Sequence, residues 1–420
     1  MRQSHLFTIP RKESPKDEES LNAKLLIRAG YIHKEMAGVY SYLPLGRRVL
    51  EKVMGIIREE MNGIGGQEVS MAALQNPEAW KFTGRFDEGV VDVWFKTRLK
   101  NDTELGLAFT HEEPMTAMMR PFIRSYRDLP RAVYQFQTKF RNETRAKSGI
   151  MRGREFIMKD LYSFSRSQSD LDMFYDEVAL AYDRIFARVG IGERTYKTFA
   201  SGGVFSKYSH EYQTVCDAGE DTIYIDEESR IAINKEVHTD EVIADLRLDV
   251  SKLVEKKSIE VGNIFKLGTK FSEPLNLTYK DEEGAMLPVV MGSYGIGPGR
   301  LMGTVVELFS DERGLVWPES IAPFQVHLLS LGADEQAEAL YRLLSEAEIE
   351  VLYDDRDMRA GEKFAEADLL GLPYRVVVGK KSIETGMAEV KARANTDIEM
   401  VSLEDMASFF SARRPRGEKN

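Results

Sequence analysis

The chain of 420 residues is poor in cysteine: its one thiol, Cys216, forms neither an intramolecular disulfide nor a cysteine-cluster zinc site. No uninterrupted apolar run approaches the roughly 18 residues that cross a bilayer, so no membrane partner is expected. The first residues also lack the apolar stretch of a secretory signal. These absences favour a cytoplasmic protein without zinc.

The chain has fewer basic than acidic side chains: 57 lysines and arginines against 68 aspartates and glutamates, for a formal net charge of −11. This balance argues against a protein that coats nucleic acid non-specifically, although a local basic patch still allows a specific RNA ligand. The length exceeds the usual span of one domain, and the apolar content of 43% supports a sizeable core. We therefore expect two or three domains.

Residues 1–320 predict an α+β domain. Apolar residues recur at helical spacing from Leu45 to Asn62, and the glycines at 63, 65 and 66 end that helix. Strand-like segments and polar turns follow, which is typical of an antiparallel sheet flanked by helices. The predicted strands are 68–71, 90–97, 105–110, 132–143, 155–164, 221–226 and 286–297, and the further predicted helices are 112–126, 168–189 and 299–309.

The pattern changes around Trp317–Pro323, and residues 323–411 predict a second, small α/β domain in which strands and helices alternate. Its predicted strands are 324–331, 349–353, 374–379 and 388–393, and its predicted helices are 333–347 and 361–370. A last helix is predicted to open at Ser402, with Asp405 in capping-box register. The tail, 412–420, is predicted to be disordered.

Two arginine-containing segments, Phe140-Arg-Asn-Glu143 and Arg152-Gly-Arg-Glu-Phe156, flank a glycine-containing turn and predict a hairpin. Residues two apart on a strand share a face, so Phe156, Met158, Asp160 and Tyr162 point the same way. Guanidinium groups hold phosphate oxygens and an aromatic ring stacks on a base, so such a face suits a nucleotide. The alternative is a solvated hairpin with scattered charges.

A glycine-rich segment, Met291-Gly-Ser-Tyr-Gly-Ile-Gly-Pro-Gly-Arg300, precedes an apolar helix. Its glycines permit close backbone approach, and Arg300 lies at the helix start, where anions bind. A glycine-rich strand-to-helix turn is common by itself. No Gly-Lys-Ser/Thr follows, so the segment does not indicate a P-loop.

Two further segments contain candidate pocket residues. Phe109-Thr-His-Glu-Glu-Pro114 places Thr110 and Glu112 at a strand-to-helix turn, where they suit a small cation. A helix cap with an acidic first turn explains the same residues. In the second segment, 201–213, His210 and Gln213 follow a Gly-Gly pair, and a lone histidine is more often structural than functional.

Together these segments resemble motifs 2 and 3 and the amino-acid pocket of the class II aminoacyl-tRNA synthetases, specifically prolyl-tRNA synthetases of the bacterial type. The likeness extends over nearly the whole chain, and the C-terminal domain resembles the anticodon-binding domain of that class. Other segments that carry it are 25–32, 38–46, 159–164, 262–272 and 314–324.

The resemblance implies a proline--tRNA ligase that uses ATP with Mg²⁺ to form prolyl-adenylate and then charges tRNA(Pro), acting as a homodimer. It implies that Arg141 and Arg300 are catalytic, that Arg152 and Arg300 hold the outer phosphates, and that Arg141 bridges the substrate carboxylate and the α-phosphate. The implied ATP site comprises Arg141, Glu143, Arg152, Phe156, Gln213 and Arg300. The implied proline site comprises Thr110, Glu112, Arg141, Met158, Asp160, Tyr162, His210 and Ser293.

The sequence departs from the family pattern in two places. Ala72 occupies a position in motif 1 that usually carries proline, in the segment that builds the dimer interface in this class. Too few residues separate Gln213 from Met291 for the large editing insertion of many bacterial relatives. Because one methylene of contact discriminates by only about 1–3 kcal/mol, we expect some charging of tRNA(Pro) with alanine.

Three other assignments compete with this one. A catalytically silent regulatory or sensor paralogue typically loses a phosphate-binding arginine, whereas this chain has all three. A second is a related class II enzyme for threonine or histidine. The threonine enzyme needs a zinc ligand set that includes cysteine, and Cys216 lies outside the corresponding positions. A pure tRNA-binding module leaves the ATP-binding pattern unexplained.

Overall fold

The computed structural model describes residues 1–87, 89–144, 146, 148–201, 208–395 and 397–413. The helices are α1 (Leu21–Arg28), α2 (Pro44–Gly63), α3 (Pro77–Phe82), α4 (Glu112–Met119), α5 (Gln168–Val189), α6 (Asp240–Asp245), α7 (Pro298–Phe309), α8 (Asp334–Glu346), α9 (Ala360–Leu370), α10 (Lys380–Thr385) and α11 (Met406–Ser411). Across these described ranges, no helix combines the length and the apolar character that crossing a membrane requires.

The strands up to the middle of the chain are β1 (Ile32–Met36), β2 (Val39–Tyr42), β3 (Gln67–Glu68), β4 (Leu74–Gln75), β5 (Lys96–Arg98), β6 (Glu104–Leu107), β7 (Arg131–Phe140), β8 (Glu155–Ser165), β9 (Thr195–Ser201), β10 (Tyr208–Val215), β11 (Asp221–Asp226) and β12 (Ile231–Asn234). The later strands are β13 (Val254–Gly268), β14 (Thr278–Lys280), β15 (Met286–Pro288), β16 (Val290–Ile296), β17 (Val326–Leu331), β18 (Val351–Asp354), β19 (Tyr374–Gly379), β20 (Met387–Ala392) and β21 (Ile398–Ser402).

Internal contacts divide the chain into two compact units. The larger unit comprises Met36–Val39 and Met54–Thr304, and the smaller unit comprises Met1–Glu35, Tyr40–Val53 and the described residues from Val305 onward. This division by contacts does not test the domain limits predicted from the sequence, at 320 and 323, and those limits stay predictions. The tail expected to be disordered lies, from residue 414, outside the described residues.

A nine-stranded sheet in the order β10-β9-β12-β11-β13-β16-β8-β7-β3 forms the centre of the larger unit. Its pairs are antiparallel except β9 with β12 and β3 with β7. Strands β7 and β8 form its longest hairpin, in which Phe140 pairs with Glu155 and Arg131 with Phe164. The predicted α+β class is confirmed.

Helix α5 covers one face of this sheet. Lys159 of β8 is buried there and donates from Nζ to the Tyr182 hydroxyl of α5 at 2.6 Å. Because side chains alternate along a strand, Met158 and Asp160 point to the opposite face. The side chains with nucleotide-binding chemistry therefore lie together on the face away from α5.

The smaller unit contains a five-stranded sheet in the order β18-β17-β19-β20-β21. Strand β17 is parallel to β18 and β19, and β20 and β21 complete the sheet in antiparallel fashion. Leu328 packs with the helices α8 and α11, and its neighbour Leu329 packs with α9, so helices cover both faces. This is the small α/β domain that the alternating pattern predicted.

Several predicted elements are wrong in detail. Within segment 90–97 only the isolated bridge of Trp94 with Arg141 and the start of β5 are strand-like, and the Trp94 ring packs on Trp80. Helix α4 ends at Met119 and not near 126. Ser402 ends β21, where it pairs with Met387, and the last helix begins at Met406.

Candidate active site

A cleft lies on the face of the large sheet away from α5, between the β7–β8 hairpin and the start of α7. Arg141, Arg152 and Arg300 all line it, and they also line a second cavity that adjoins it. The remaining lining includes Phe156, Met158 and Glu260, with Gly295 and Gly297 of the glycine-rich segment. The three arginines, distant in sequence, thus share one cleft.

Arg141 follows β7 and is the least compensated charge in the cleft. Its guanidinium carbon lies 5.3 Å from the ring centroids of both Phe109 and Phe156. Its Nε is buried without a hydrogen-bond partner, and among the described residues no carboxylate forms an ion pair with it. Burial, followed by the nearby charge of Arg300, lowers the pKa of Arg141. Glu260, Glu112 and Glu143 act on this cation only from a distance, without an ion pair, so the site is complementary to an anion that contacts it directly.

Arg152 and Arg300 already have carboxylate partners. Arg152 donates to Glu143 from Nε and Nη2 at 3.2 and 2.8 Å, and to Glu220 from Nη1 at 2.6 Å. Arg300, in the first turn of α7, donates to the Glu260 carboxylate at 3.1 Å and to the Glu260 carbonyl at 2.7 Å. These ion pairs orient the two guanidinium groups toward the cleft before any ligand binds.

The glycine-rich strand β16 permits close packing beside the cleft. A Cβ atom on Gly295 would lie 2.4 Å from Cε of Met158 and 2.8 Å from Oδ1 of Asn263. Any larger residue there displaces Met158, which itself lines the cleft. Glycine at this position therefore sets the size of the cavity.

Thr110 and Glu112 form a wall beside Tyr162, further along β8. The Thr110 hydroxyl donates to Glu112 Oε2 at 2.7 Å, and the buried Tyr162 hydroxyl lies 3.4 Å from Glu112 Oε1. Ser293 pairs with Tyr162 across the β16–β8 ladder and therefore shares its face. Glu112 is also the first residue of α4, which agrees with the acidic first turn, and its role in a pocket stays a prediction.

Asp160 lies between the cleft and this wall and is buried at 4% exposure. Its Oδ2 accepts hydrogen bonds from Gln135 at 3.1 Å and from Lys139 at 3.0 Å. Its Oδ1 is buried and has no partner among the described residues. Phe156, Met158, Asp160 and Tyr162 thus form one row, which spans about 20 Å at the rise of an extended strand.

His210 is the predicted site residue that the structure does not bring to this face. It is in register with Ile264 of β13, and Ile264 with Tyr294 of β16, so His210 points toward α5 and away from Ser293. A hydrogen bond of 2.7 Å joins its Nδ1 to the Tyr175 hydroxyl, and the Phe199 ring packs at 4.6 Å. Burial lowers its pKa to about 3.

Gln213 lies beside the cleft and not in its lining. Its side-chain amide donates to Glu211 and to Asp221, each at 3.0 Å, and Asp221 lines the second cavity. Burial, and then the neighbouring Glu260, raises the pKa of Glu211 to about 7. Residues 202–207, which contain the Gly-Gly pair before His210, lie outside the described residues.

Sequence reasoning missed three residues near the site. Glu260 was missed because the 15-residue strand β13 was not predicted. Lys139 and His111 were missed because a lysine in a strand and a histidine at a helix start give no specific signal. Both are buried, at 1% and 0% exposure, and they contact each other.

The comparisons with known proteins agree with this geometry. Residues 95–309 match the family described as "tRNA synthetase class II core domain (G, H, P, S and T)", and residues 321–413 match "Anticodon binding domain". The fold and the arginine-lined cleft are those of a class II aminoacyl-tRNA synthetase.

Curated relatives narrow the assignment. The proline--tRNA ligase of Nitrobacter winogradskyi is 39% identical over 98% of this chain and 100% of its own length. That of Maricaulis maris is 36% identical over 97% of this chain and 98% of its own length. This chain belongs to the proline--tRNA ligase family.

A solved structure shares the fold. The prolyl-tRNA synthetase of Cryptosporidium parvum, complexed with L-proline and AMP, superposes with a TM-score of 0.75 at 17% identity, covering 93% of this chain and 74% of that chain. The likeness extends through both parts of the chain, from the synthetase core to the anticodon-binding domain.

Proposed function

We propose that this protein activates proline with ATP to give prolyl-adenylate and transfers the prolyl group to the 3′ end of tRNA(Pro). The observation that carries the proposal is Arg141, a half-buried guanidinium with a buried, unpartnered Nε and no ion pair to a carboxylate among the described residues, in one cleft with Arg152 and Arg300. Three convergent cations suit a folded triphosphate, and the membership in the proline--tRNA ligase family supplies the amino acid.

In the first step the proline carboxylate attacks the α-phosphorus, and pyrophosphate leaves. Such a transfer requires alignment and charge neutralisation more than a protein nucleophile. Arg141 contacts both the carboxylate and the α-phosphate, while Arg152 and Arg300 bind the outer phosphates. Phosphate oxygens compete with Glu143 for the hydrogen bonds of Arg152. The released Glu143 carboxylate then accepts a hydrogen bond from the amino group of the adenine, which stacks on the Phe156 ring.

We propose that proline binds at the far end of the β8 row. Glu112, with Thr110 bonded to it, accepts from the charged imino group, and the unpartnered Oδ1 of Asp160 offers a second acceptor. Met158, Tyr162 and Ser293 enclose the ring. His210 is left out of this pocket because it points to the other face of the sheet.

The residues of the cleft fit Mg²⁺ that arrives with ATP. Mg²⁺ is usually bound by one or two carboxylates together with substrate phosphates. Glu260 lines the cleft, and burial, followed by the charge of Glu260, raises the pKa of the neighbouring Glu211. Within the described residues, no group of three or more histidine, cysteine or acidic side chains is placed to hold a metal alone. When bound, Mg²⁺ neutralises the charge of the phosphates.

We further propose that the enzyme binds tRNA(Pro) through residues 323–411, acts as a homodimer and works in the cytoplasm. The match of residues 321–413 to an anticodon-binding domain supports the first point. The dimer rests on the family resemblance alone, and size-exclusion chromatography with light scattering tests it.

ATP–pyrophosphate exchange with each of the twenty amino acids tests the central proposal. We expect exchange with proline, weaker exchange with alanine, and loss of both in Arg141→Ala. Charging assays with tRNA(Pro) and a non-cognate tRNA then test the second step. Exchange that prefers another amino acid, or near-normal exchange in Arg141→Ala, contradicts the proposal.

A further inference from the structure

His111 lies between the two predicted pocket residues, Thr110 and Glu112, and connects their segment to the large sheet. His111 is fully buried, and its backbone N–H donates to the Tyr162 hydroxyl at 3.2 Å. Its Nε2 lies 3.3 Å from the carbonyl oxygen of Ala72, and its Nδ1 lies 2.6 Å from Nζ of Lys139. Both the backbone and the ring of His111 are therefore held.

The two ring contacts fix the protonation of His111. A carbonyl oxygen only accepts, so Nε2 carries the proton that it shares with Ala72. A lysine ammonium only donates, so Nδ1 accepts from Lys139. The imidazole is thus neutral. Burial, followed by the charge of Lys139, lowers its pKa to about 4.

Lys139 joins this histidine to Asp160. Its Nζ donates to Asp160 Oδ2 at 3.0 Å, and its side chain is 1% exposed. Lys139 does not line the cleft, so it is not placed to touch a substrate. A buried ammonium needs compensation, and this one bridges two acceptors, Asp160 Oδ2 and His111 Nδ1, which lie 3.8 Å apart.

We propose that Lys139 is a positioning residue for proline binding. Its ammonium holds Asp160 directly and, through His111, sets the directions of Thr110 and Glu112. In the adenine and phosphate part of the site, the backbone of Lys139 pairs with that of Phe156, but among the described residues its ammonium bonds neither Arg152 nor Arg300. The inference rests on the proposed function, and it predicts a selective defect in the use of proline.

The test compares Lys139→Met with Lys159→Met in ATP–pyrophosphate exchange. Lys159 is a matched control, because it is an equally buried lysine of the same hairpin that bonds Tyr182 on the opposite face. We expect Lys139→Met to raise KM for proline by about 10- to 100-fold, the effect of losing hydrogen bonds to charged groups, with KM for ATP within about twofold. Lys159→Met lowers stability but leaves the ratio of the two KM values unchanged.

His111→Leu provides a second variant, which keeps the Lys139–Asp160 pair and removes the connection to the pocket wall. We expect the same selective rise in KM for proline. A rise in both KM values together, an equal effect of Lys159→Met, or an unchanged KM in His111→Leu overturns the inference. If Lys139→Met does not fold, His111→Leu decides alone. Failure of the unsubstituted protein to exchange with proline contradicts the proposed function instead, so the two failures are distinguishable.

Discussion

The guanidinium carbon of Arg141 lies 5.3 Å from the ring centroid of Phe156, with the ring of Phe109 at the same distance. The two rings carry no net negative charge, unlike a phosphate or a carboxylate. They therefore position the cation without neutralising it. The site therefore keeps a charged group desolvated before any substrate binds. Such pre-organisation favours catalysis at the expense of stability.

This cost leads to the first prediction. Arg141→Met removes a half-buried charge that forms no ion pair among the described residues, so we expect unfolding in the absence of substrates to need as much free energy as before, or about 1–3 kcal/mol more. Proline-dependent exchange should fall by about 100-fold or more, since a fixed donor at the reacting groups is lost.

Denaturant unfolding and exchange assays on the same preparations measure both effects. The surface variant Arg98→Ala, which removes an exposed ion pair with Glu104, should leave activity unchanged. A strongly destabilised but active Arg141→Met protein contradicts the proposed role.

Gly295→Ala should reduce activity with little effect on the fold. The added methyl group meets the flexible end of Met158 at 2.4 Å and Oδ1 of Asn263 at 2.8 Å, and both residues line the cleft. We expect weaker binding of ATP and of proline, by roughly 10-fold, because about 1–2 kcal/mol of packing is lost.

Gly55→Ala is the matched control, because a Cβ on Gly55 in α2 meets nothing within 4 Å. That variant should be about 0.5–1 kcal/mol more stable and equally active. Equal exchange kinetics in both glycine variants contradicts the assigned packing.

Particular elements and residues show which parts of the structure could be predicted from the sequence. The β7–β8 hairpin was predicted nearly to its ends, because alternation and a glycine-containing turn are local signals. Strand β13 was not predicted because its many lysines and glutamates obscure the apolar pattern. The structure nevertheless buries Ile259, Val261 and Ile264 of this strand. Whether a residue points to one face or the other depends on strand register, which one sequence does not reveal.

His210 illustrates the limit most clearly. The motif around it placed it in the proline pocket, but its register with Ile264 turns it toward α5. By contrast, Arg141, Arg152 and Arg300 line one cleft, as the resemblance of their motifs implied. Their spacing in the sequence alone does not predict that they meet.

For His210, the structure leads us to predict a structural effect. His210→Asn still offers a donor or an acceptor to Tyr175, so KM for proline should stay within about twofold of the original value. The folded pKa of about 3 lies below the ordinary 6.5, so the unfolded chain binds the proton first as pH falls. The contribution of a neutral His210 is complete above pH 6.5 and is lost toward pH 3.

Free energies of unfolding at several pH values between 7 and 4 measure this slope in both proteins. We expect His210→Asn to have a shallower loss of stability with acid. A large rise in KM for proline, with unchanged pH dependence, contradicts the placement and restores His210 to the pocket.

In the smaller unit, Asp311 and Arg393 make a paired contact that predicts the acid sensitivity of that unit. Arg393 donates from Nη1 and Nη2 to the two Asp311 oxygens at 2.8 and 2.6 Å, and its side chain is 5% exposed. The hydrogen bonds from Arg393 lower the pKa of Asp311 well below its ordinary value of 3.8. The stabilisation is therefore complete at neutral pH and is lost as pH falls below 3.8 toward the lower folded pKa.

Asp311→Asn leaves the buried guanidinium without its counter-charge and should cost about 1–3 kcal/mol at pH 7. The difference from the original protein should narrow as the pH falls below about 3.8, because protonation of Asp311 weakens the same contact. Glu312→Gln, a change at the exposed neighbouring carboxylate, is the control and should alter stability by less than about 0.5 kcal/mol. A pH-independent difference between Asp311→Asn and the original protein contradicts the ion pair as its cause, since only a charged carboxylate gives a dependence of this sign.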